Sequence, residues 1–191
     1  MDEIGNKAHR LSILTRYFNV PTGFVVTTRA YDLWKEEGKL PQEVVEEVKD
    51  YFTSPYLLEG KFPVVVRSSA TVEDGSKASF AGGVFESITG VNSFDDLIKG
   101  IERVFESASS ERVRAYMERM GLKEEPRMAA IVQREVTPEF AGVLFTRSST
   151  EPEKALVEFV GGGAARSLWV VEKALSGFCF QETRKRLMTS L

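Results

Sequence analysis

Apolar and polar positions alternate with different periods along the chain, and the changes of period mark its elements. Leu11, Leu14 and Phe18 recur at spacings of three and four, predicting a helix opened by Gly5-Asn6-Lys7 with that stripe as its apolar face. Asn19-Val20-Pro21-Thr22-Gly23 marks a turn. Phe24-Val25-Val26-Thr27 then reads as a short strand whose closing hydroxyl residues suit the cap of a following helix. That helix is expected over about Arg29 to Glu37, stopped by Gly38. Pro41 suits the first turn of another, with Val44, Val45 and Val48 on one side and Glu43, Glu46, Glu47 and Lys49 on a solvated face. Further on, Phe94, Leu97, Ile98, Ile101, Val104 and Phe105 outline a strongly amphipathic helix capped by Ser93. A last helix, Glu111 to Met120, carries Val113, Tyr116, Met117 and Met120 as packing residues and ends at Gly121.

From Met128 the period falls to that of strands. Runs at Met128 to Val136, Ala141 to Thr146, Ala155 to Val160, Leu168 to Glu172 and Phe178 to Thr183 are separated by turns at Pro138, Pro152 and Gly161-Gly162-Gly163. The expectation is an α+β chain in two lobes: helices and strands over 1–125, a strand-rich meander over 126–191, and a cleft between them as the usual place for a ligand.

The stretch Phe62 to Thr89 stands between these patterns as a strand, a loop and a second strand. Val64, Val65 and Val66 are β-branched and apolar on both faces, as in a strand covered on both sides, and they lead to Arg67 at its exit end. Small and hydroxylic residues follow: Ser68, Ser69, Ala70 and Thr71, then Gly75, Ser76, Ala78 and Ser79, then Ala81, Gly82 and Gly83. Such residues leave main-chain N–H groups uncovered, which suits close approach to an oxyanion such as a triphosphate, with Arg67 and Lys77 as the cations. An ordinary flexible turn has the same composition.

Composition narrows the partners. Lys and Arg number 25 against 28 Asp and Glu, and the net charge of −3 offers no general attraction for nucleic acid or anionic membrane. Any anion site must come from locally arranged groups. An apolar fraction of 42% is a globular value, no apolar run reaches the roughly 18 residues of a membrane span, and MDEIGNKAHR lacks a signal-peptide core. A cytoplasmic chain is expected. Its one cysteine, Cys179, lies among Gly177, Phe178 and Phe180 and reads as a small buried hydrophobe.

Candidate chemistry is sparse. His9 is the only histidine, so a histidine-based metal cluster is excluded, and its position two residues beyond Lys7 on a helix turns it elsewhere. Lys7 falls in the first helical turn, where a cation opposes the helix dipole; facing a phosphate would explain it, and so would a side chain reaching into water. Glu73 and Asp74 are adjacent loop carboxylates, of the kind that is more often solvated than catalytic. Gln133 and Arg134 either present a strand edge to an adenine ring, under apolar cover from Ala129, Ile131 and Val132, or form a cross-strand polar pair.

Taken in order, four motifs resemble the amino-terminal ATP-binding region of the phosphoenolpyruvate synthases and pyruvate, phosphate dikinases, related also to rifampicin phosphotransferases and glucan water dikinases. They are Gly5-Asn6-Lys7 with Val20-Pro21-Thr22-Gly23-Phe24-Val25-Val26-Thr27; Val66-Arg67-Ser68-Ser69-Ala70-Thr71 with Glu73-Asp74; Ala78-Ser79-Phe80-Ala81-Gly82; and Val132-Gln133-Arg134 with Ala141-Gly142-Val143-Leu144-Phe145-Thr146. The resemblance implies an ATP-grasp-like fold with ATP held between two lobes, the second of them incomplete here. It implies phosphate contacts, and so catalytic roles, for Lys7 and Arg67, with Ser68 beside them. By the same resemblance Phe80, Ala81, Gly82 and Gly83 cover the phosphates, and Ile131 to Gln133 border the adenine. The chain departs from the family at Gly83-Val84-Phe85-Glu86-Ser87, where relatives commonly carry Gln-Gln followed by Glu-Thr.

The family's Asp-Ile-Glu and Gln-x-Arg-Pro, which hold metal and nucleotide, and its phosphohistidine segment do not occur before Leu191. Mg2+ is therefore implied by the family without ligands in this chain, and Glu158 is the nearest spare carboxylate. The expected function is the ATP-binding portion of a dikinase-like phosphotransferase, inactive alone. Its expected partner is a separate chain or further segment that carries the phosphohistidine and the phosphoenolpyruvate or pyruvate parts. A non-catalytic nucleotide-binding or regulatory module, or a component acting on another small molecule, are the alternatives.

Overall fold

A computed structural model describes residues 3–71, 85–119, 121, 125–145, 153 and 155–161. In chain order the elements are α1 (Gly5–Leu14), β1 (Gly23–Val26), α2 (Thr28–Glu37), α3 (Gln42–Thr53), β2 (Val64–Ala70), β3 (Ser87–Val91), α4 (Phe94–Glu106), α5 (Glu111–Arg119), β4 (Met128–Arg134), β5 (Phe140–Phe145) and β6 (Leu156–Gly161). Helices and antiparallel strands mix in one α+β chain, which divides into two units, Met1–Glu135 and Val136–Leu191.

The first unit is built on a four-stranded sheet in the order β1-β4-β2-β3. Antiparallel registers set Phe24 opposite Val132, Val66 opposite Val132 from the other side, and Ala70 opposite Met128. Residues directly opposite share a face. One face therefore carries Val26, Val64, Val66, Ala70, Met128, Ala130 and Val132, all buried in the main core. Packed with them are Leu97, Ile101, Val104 and Phe105 of α4, whose amino end Ser93 caps by accepting the Asp96 N–H at 3.1 Å. Tyr31 of α2 meets Phe105 edge-on at 5.4 Å and lies near-stacked with Trp34 at 5.9 Å, joining two helices through aromatic contact. Gly38 closes α2 in the left-handed conformation, where the sequence places the stop.

Three expectations change. The strand beginning at Met128 does not open the second lobe: β4 lies between β1 and β2 in the first unit's sheet. The switch from helical to strand periodicity marks a change of local structure, whereas partnership is set by which strands β4 can cover. Secondly, Arg67 is not at a strand exit, since β2 continues through Ser68, Ser69 and Ala70, paired with Ala130, Ala129 and Met128. The serines are buried because small residues on both strands let another element approach closely. Thirdly, α1 ends at Leu14, and of the stripe expected to pack only Leu11 is half-buried, with Leu14 40% and Phe18 67% exposed. Its buried residues are instead Gly5 and Ala8.

The second unit shows a hairpin of β5 and β6, in register from Phe140 opposite Gly161 to Phe145 opposite Leu156. This matches the strands read at Ala141 to Thr146 and Ala155 to Val160. The strands expected at Leu168 to Glu172 and Phe178 to Thr183, together with Cys179, lie outside the described residues.

Candidate functional site

Small residues bring two distant motifs together. Gly5 opens α1 at φ +69°, a conformation that disfavours side chains, and a Cβ there would lie 2.1 Å from the Ser69 carbonyl oxygen. The helix start can therefore rest directly on the sheet face that carries Ser69, opposite to the core face. One hydroxyl serves both ends of the first turn: Ser69 Oγ donates to the Ile4 carbonyl at 2.8 Å and accepts the Ala8 N–H at 2.9 Å. Beyond it, Asn6 Nδ2 donates to the Thr71 carbonyl at 3.0 Å.

Lys7 completes the zipper. Its ammonium donates to the Ser68 carbonyl at 2.9 Å and stands 3.3 Å from Ser68 Oγ. Ser68 N–H turns toward β3 and donates to Glu86 O, so the carbonyl that Lys7 reaches lies on the same side of the strand, just past the residue where β3 begins its pairing at Ser87 opposite Arg67. The Lys7 ammonium thus sits on the strand one residue beyond the half-buried Arg67, whose side chain the alternation of β2 turns to the face opposite that of Ser68. A cation held by a main-chain contact can meet an anionic oxygen without first being ordered, which favours binding. The sequence places Lys7 and Arg67 in one site; the structure brings the Lys7 ammonium to the residue after Arg67.

Other candidates separate from this cluster. Ile131 and Gln133 lie on β4, flanked by β1 and β2, so the strand edge expected to offer a main-chain donor and acceptor is taken up within the sheet. The Gln133 amide is buried and donates to the Pro21 carbonyl at 2.9 Å, while Arg134 pairs with Glu59 at 3.6 Å rather than across the strand. Ile131 and Gln133 are both buried. His9 is half-buried, and its carbonyl accepts from Ser12 Oγ at 2.7 Å. Phe80, Ala81, Gly82 and Gly83 lie outside the described residues, as do Glu73, Asp74 and Lys77. Glu158 is on β6 opposite Val143. Among the described residues no three His, Cys, Asp or Glu side chains stand together in a way that could hold a metal ion. Among them too, no helix is long and apolar enough to cross a membrane.

Sequence reasoning passed over Ser69, Asn6 and Thr71 as parts of this arrangement. A signal was present: a glycine at a helix start pairs with a run of small hydroxylic residues when helix and strand must touch. It names no partner by itself, because any close helix–strand contact needs such residues.

Comparison with known proteins agrees with the family resemblance. Residues 34–163 match the model of the pyruvate phosphate dikinase AMP/ATP-binding domain. An uncharacterized phosphotransferase, YvkC, of Bacillus subtilis (strain 168) is 32% identical over 160 residues, covering 75% of this chain and 19% of the relative. A probable phosphoenolpyruvate synthase of Staphylothermus marinus is 32% identical over 162 residues, 77% of this chain and 19% of the relative. A rifampicin phosphotransferase of Bacillus subtilis (strain 168) is 33% identical over 149 residues, 76% and 16%. The chain thus spans about a fifth of the length of these relatives. By sequence over two thirds of its length, this chain belongs to the pyruvate phosphate dikinase AMP/ATP-binding domain family.

Proposed function

We propose that this chain is a nucleotide-binding part of a phosphoenolpyruvate synthase-like or dikinase-like phosphotransferase, ATP-grasp-like in fold, and that it grips the phosphates of ATP through Lys7, Arg67 and Ser68. The observation that carries the reading is the seating of the Lys7 ammonium on Ser68, 61 positions away in sequence and next to Arg67. The matched relatives add support. Their names include both phosphoenolpyruvate synthase and rifampicin phosphotransferase, which differ in acceptor while sharing the matched region, so the shared ligand is the nucleotide rather than the acceptor.

Within this proposal Lys7 and Arg67 neutralise phosphate oxygens, and Ser68 Oγ donates one hydrogen bond. The Phe80 to Gly83 stretch covers the phosphates, and Ile131 and Gln133 border the base. Bound ATP supplies the phosphoryl group; Mg2+ and the phosphoacceptor are supplied by another chain or segment. The chain alone is then a binder that turns nothing over. It is proposed to work in the cytoplasm.

Thermal unfolding with added nucleotide tests this. ATP binds the folded chain preferentially, and at a hundred times its dissociation constant it should stabilise by about 2.7 kcal/mol, raising the melting temperature with concentration. Arg67→Ala and Lys7→Met should remove the shift while leaving the ligand-free transition within a few degrees. No shift at millimolar ATP, or an undiminished one in Arg67→Ala, would sink the proposal. Stable label on His9 from γ- or β-labelled ATP would overturn the claim that the chain only binds.

A further inference from the structure

A second surface, away from Lys7 and Ser68, lies along the edge of β1 that no described strand covers. Among the described residues β1 is paired with β4 alone, on one side. Thr22 O accepts the Arg134 N–H, so in the alternating antiparallel pattern Thr22, Phe24 and Val26 turn their main chain toward β4, and Gly23 and Val25 turn theirs outward. An edge of this kind is a template for another strand.

The edge is not flat against solvent. Beside it is a cavity of about 550 Å³ walled by α2, with Ala30 and Leu33, and by α3, with Val44, Val48 and Tyr51. Its charged rim is unbalanced: Glu43 and Glu47 face one Arg29, all three are exposed, and none of them holds an ion pair among the described residues. One helical turn separates the two glutamates, about 6 Å of rise. Alternate residues of an extended chain, which point to the same side, are separated by about 6.8 Å.

We propose that this groove takes an extended, basic peptide segment as an added strand on β1. Its main chain pairs with the outward N–H and C=O groups of Gly23 and Val25, and lysines or arginines two residues apart meet Glu43 and Glu47. Main-chain pairing supplies affinity, and the acidic rim selects the charge. A second copy of the chain is disfavoured as occupant, because its own Gly23-Phe24-Val25-Val26 edge has no basic residue to offer the glutamates and brings its acidic rim with it.

The test uses the full chain and a labelled peptide, acetyl-Thr-Lys-Val-Lys-Val-Thr-amide, followed by fluorescence polarisation and by hydrogen exchange at the Val25 amide. Binding with slowed exchange at Val25 is expected, as is much weaker binding of the same peptide with glutamate in place of lysine. Val25→Pro removes one outward donor without touching the β4 ladder and should weaken binding about tenfold or more. Glu43→Lys with Glu47→Lys leaves the edge intact and should reverse the preference between the two peptides, so the idea stays testable should Val25→Pro fold poorly. No binding at millimolar peptide, unchanged Val25 exchange, unreversed preference in the double variant, or dimerisation of the chain that Val25→Pro abolishes would each overturn it.

Discussion

Ser69 shows how much one side chain can decide. Its hydroxyl is buried and bonded to both the Ile4 carbonyl and the Ala8 N–H, so it fixes where α1 begins and, through that, where the Lys7 ammonium falls. Ser69→Ala leaves a buried N–H and a carbonyl without their partner, and such a loss costs about 1–3 kcal/mol. Chemical denaturation should show a lower midpoint with an unchanged slope, and nucleotide-dependent stabilisation should weaken although no proposed phosphate ligand has been altered. Gly5→Ala should be worse in both respects, because the new Cβ meets backbone rather than a movable side chain.

At the level of elements, α4 is the helix most firmly tied to the sheet. Leu97, Ile101, Val104 and Phe105 are fully buried, and its Gly100 passes close to Val66, where a Cβ would sit 3.3 Å from Val66 Cγ2. Its start is held by Ser93, whose Oγ accepts the Asp96 N–H and donates to the Asp96 carboxylate, with Asp95 and Asp96 favourably placed in the first turn. Ser93→Ala should lower stability by about 1 kcal/mol in thermal or urea unfolding. Arg103 at the other end is a useful contrast. Its pair with Glu86, at 3.2 Å, is solvent-exposed, and exposed pairs contribute only about 0–1 kcal/mol, so Arg103→Ala should be nearly silent in the same measurement.

For the molecule as a whole, the aromatic joint of α2 and α4 predicts alkaline sensitivity. Burial raises the Tyr31 phenol above its ordinary value of 10.0, since the anion would lose its hydration inside the core. A group whose folded value is raised gives stability that is complete below the unfolded value and is lost as pH climbs through the folded one. Lys35, raised by its hydrogen bond to Glu125, acts in the same direction. The melting temperature should therefore hold up to about pH 10 and fall beyond it, and Tyr31→Phe should flatten part of that fall. An alkaline limb unchanged in Tyr31→Phe would show that other groups govern it.

Local pattern alone determined the helices that pack by an apolar stripe and the strands that carry β-branched runs, because burial of one face imposes a period the sequence must show. Ser93, Gly38, Val44 with Val48, and the β5 and β6 strands were all legible in this way. Motif order likewise pointed to Lys7, Arg67 and the family. Partnership was not legible. That β4 fills the gap between β1 and β2, that Ser68 to Ala70 continue a strand, and that α1 packs by Gly5 and Ala8 rather than by Leu14 depend on residues 58 or more positions apart meeting across the sheet. Small residues write no periodic signal, since their role is to leave room, and what occupies that room is settled only when the chain is folded.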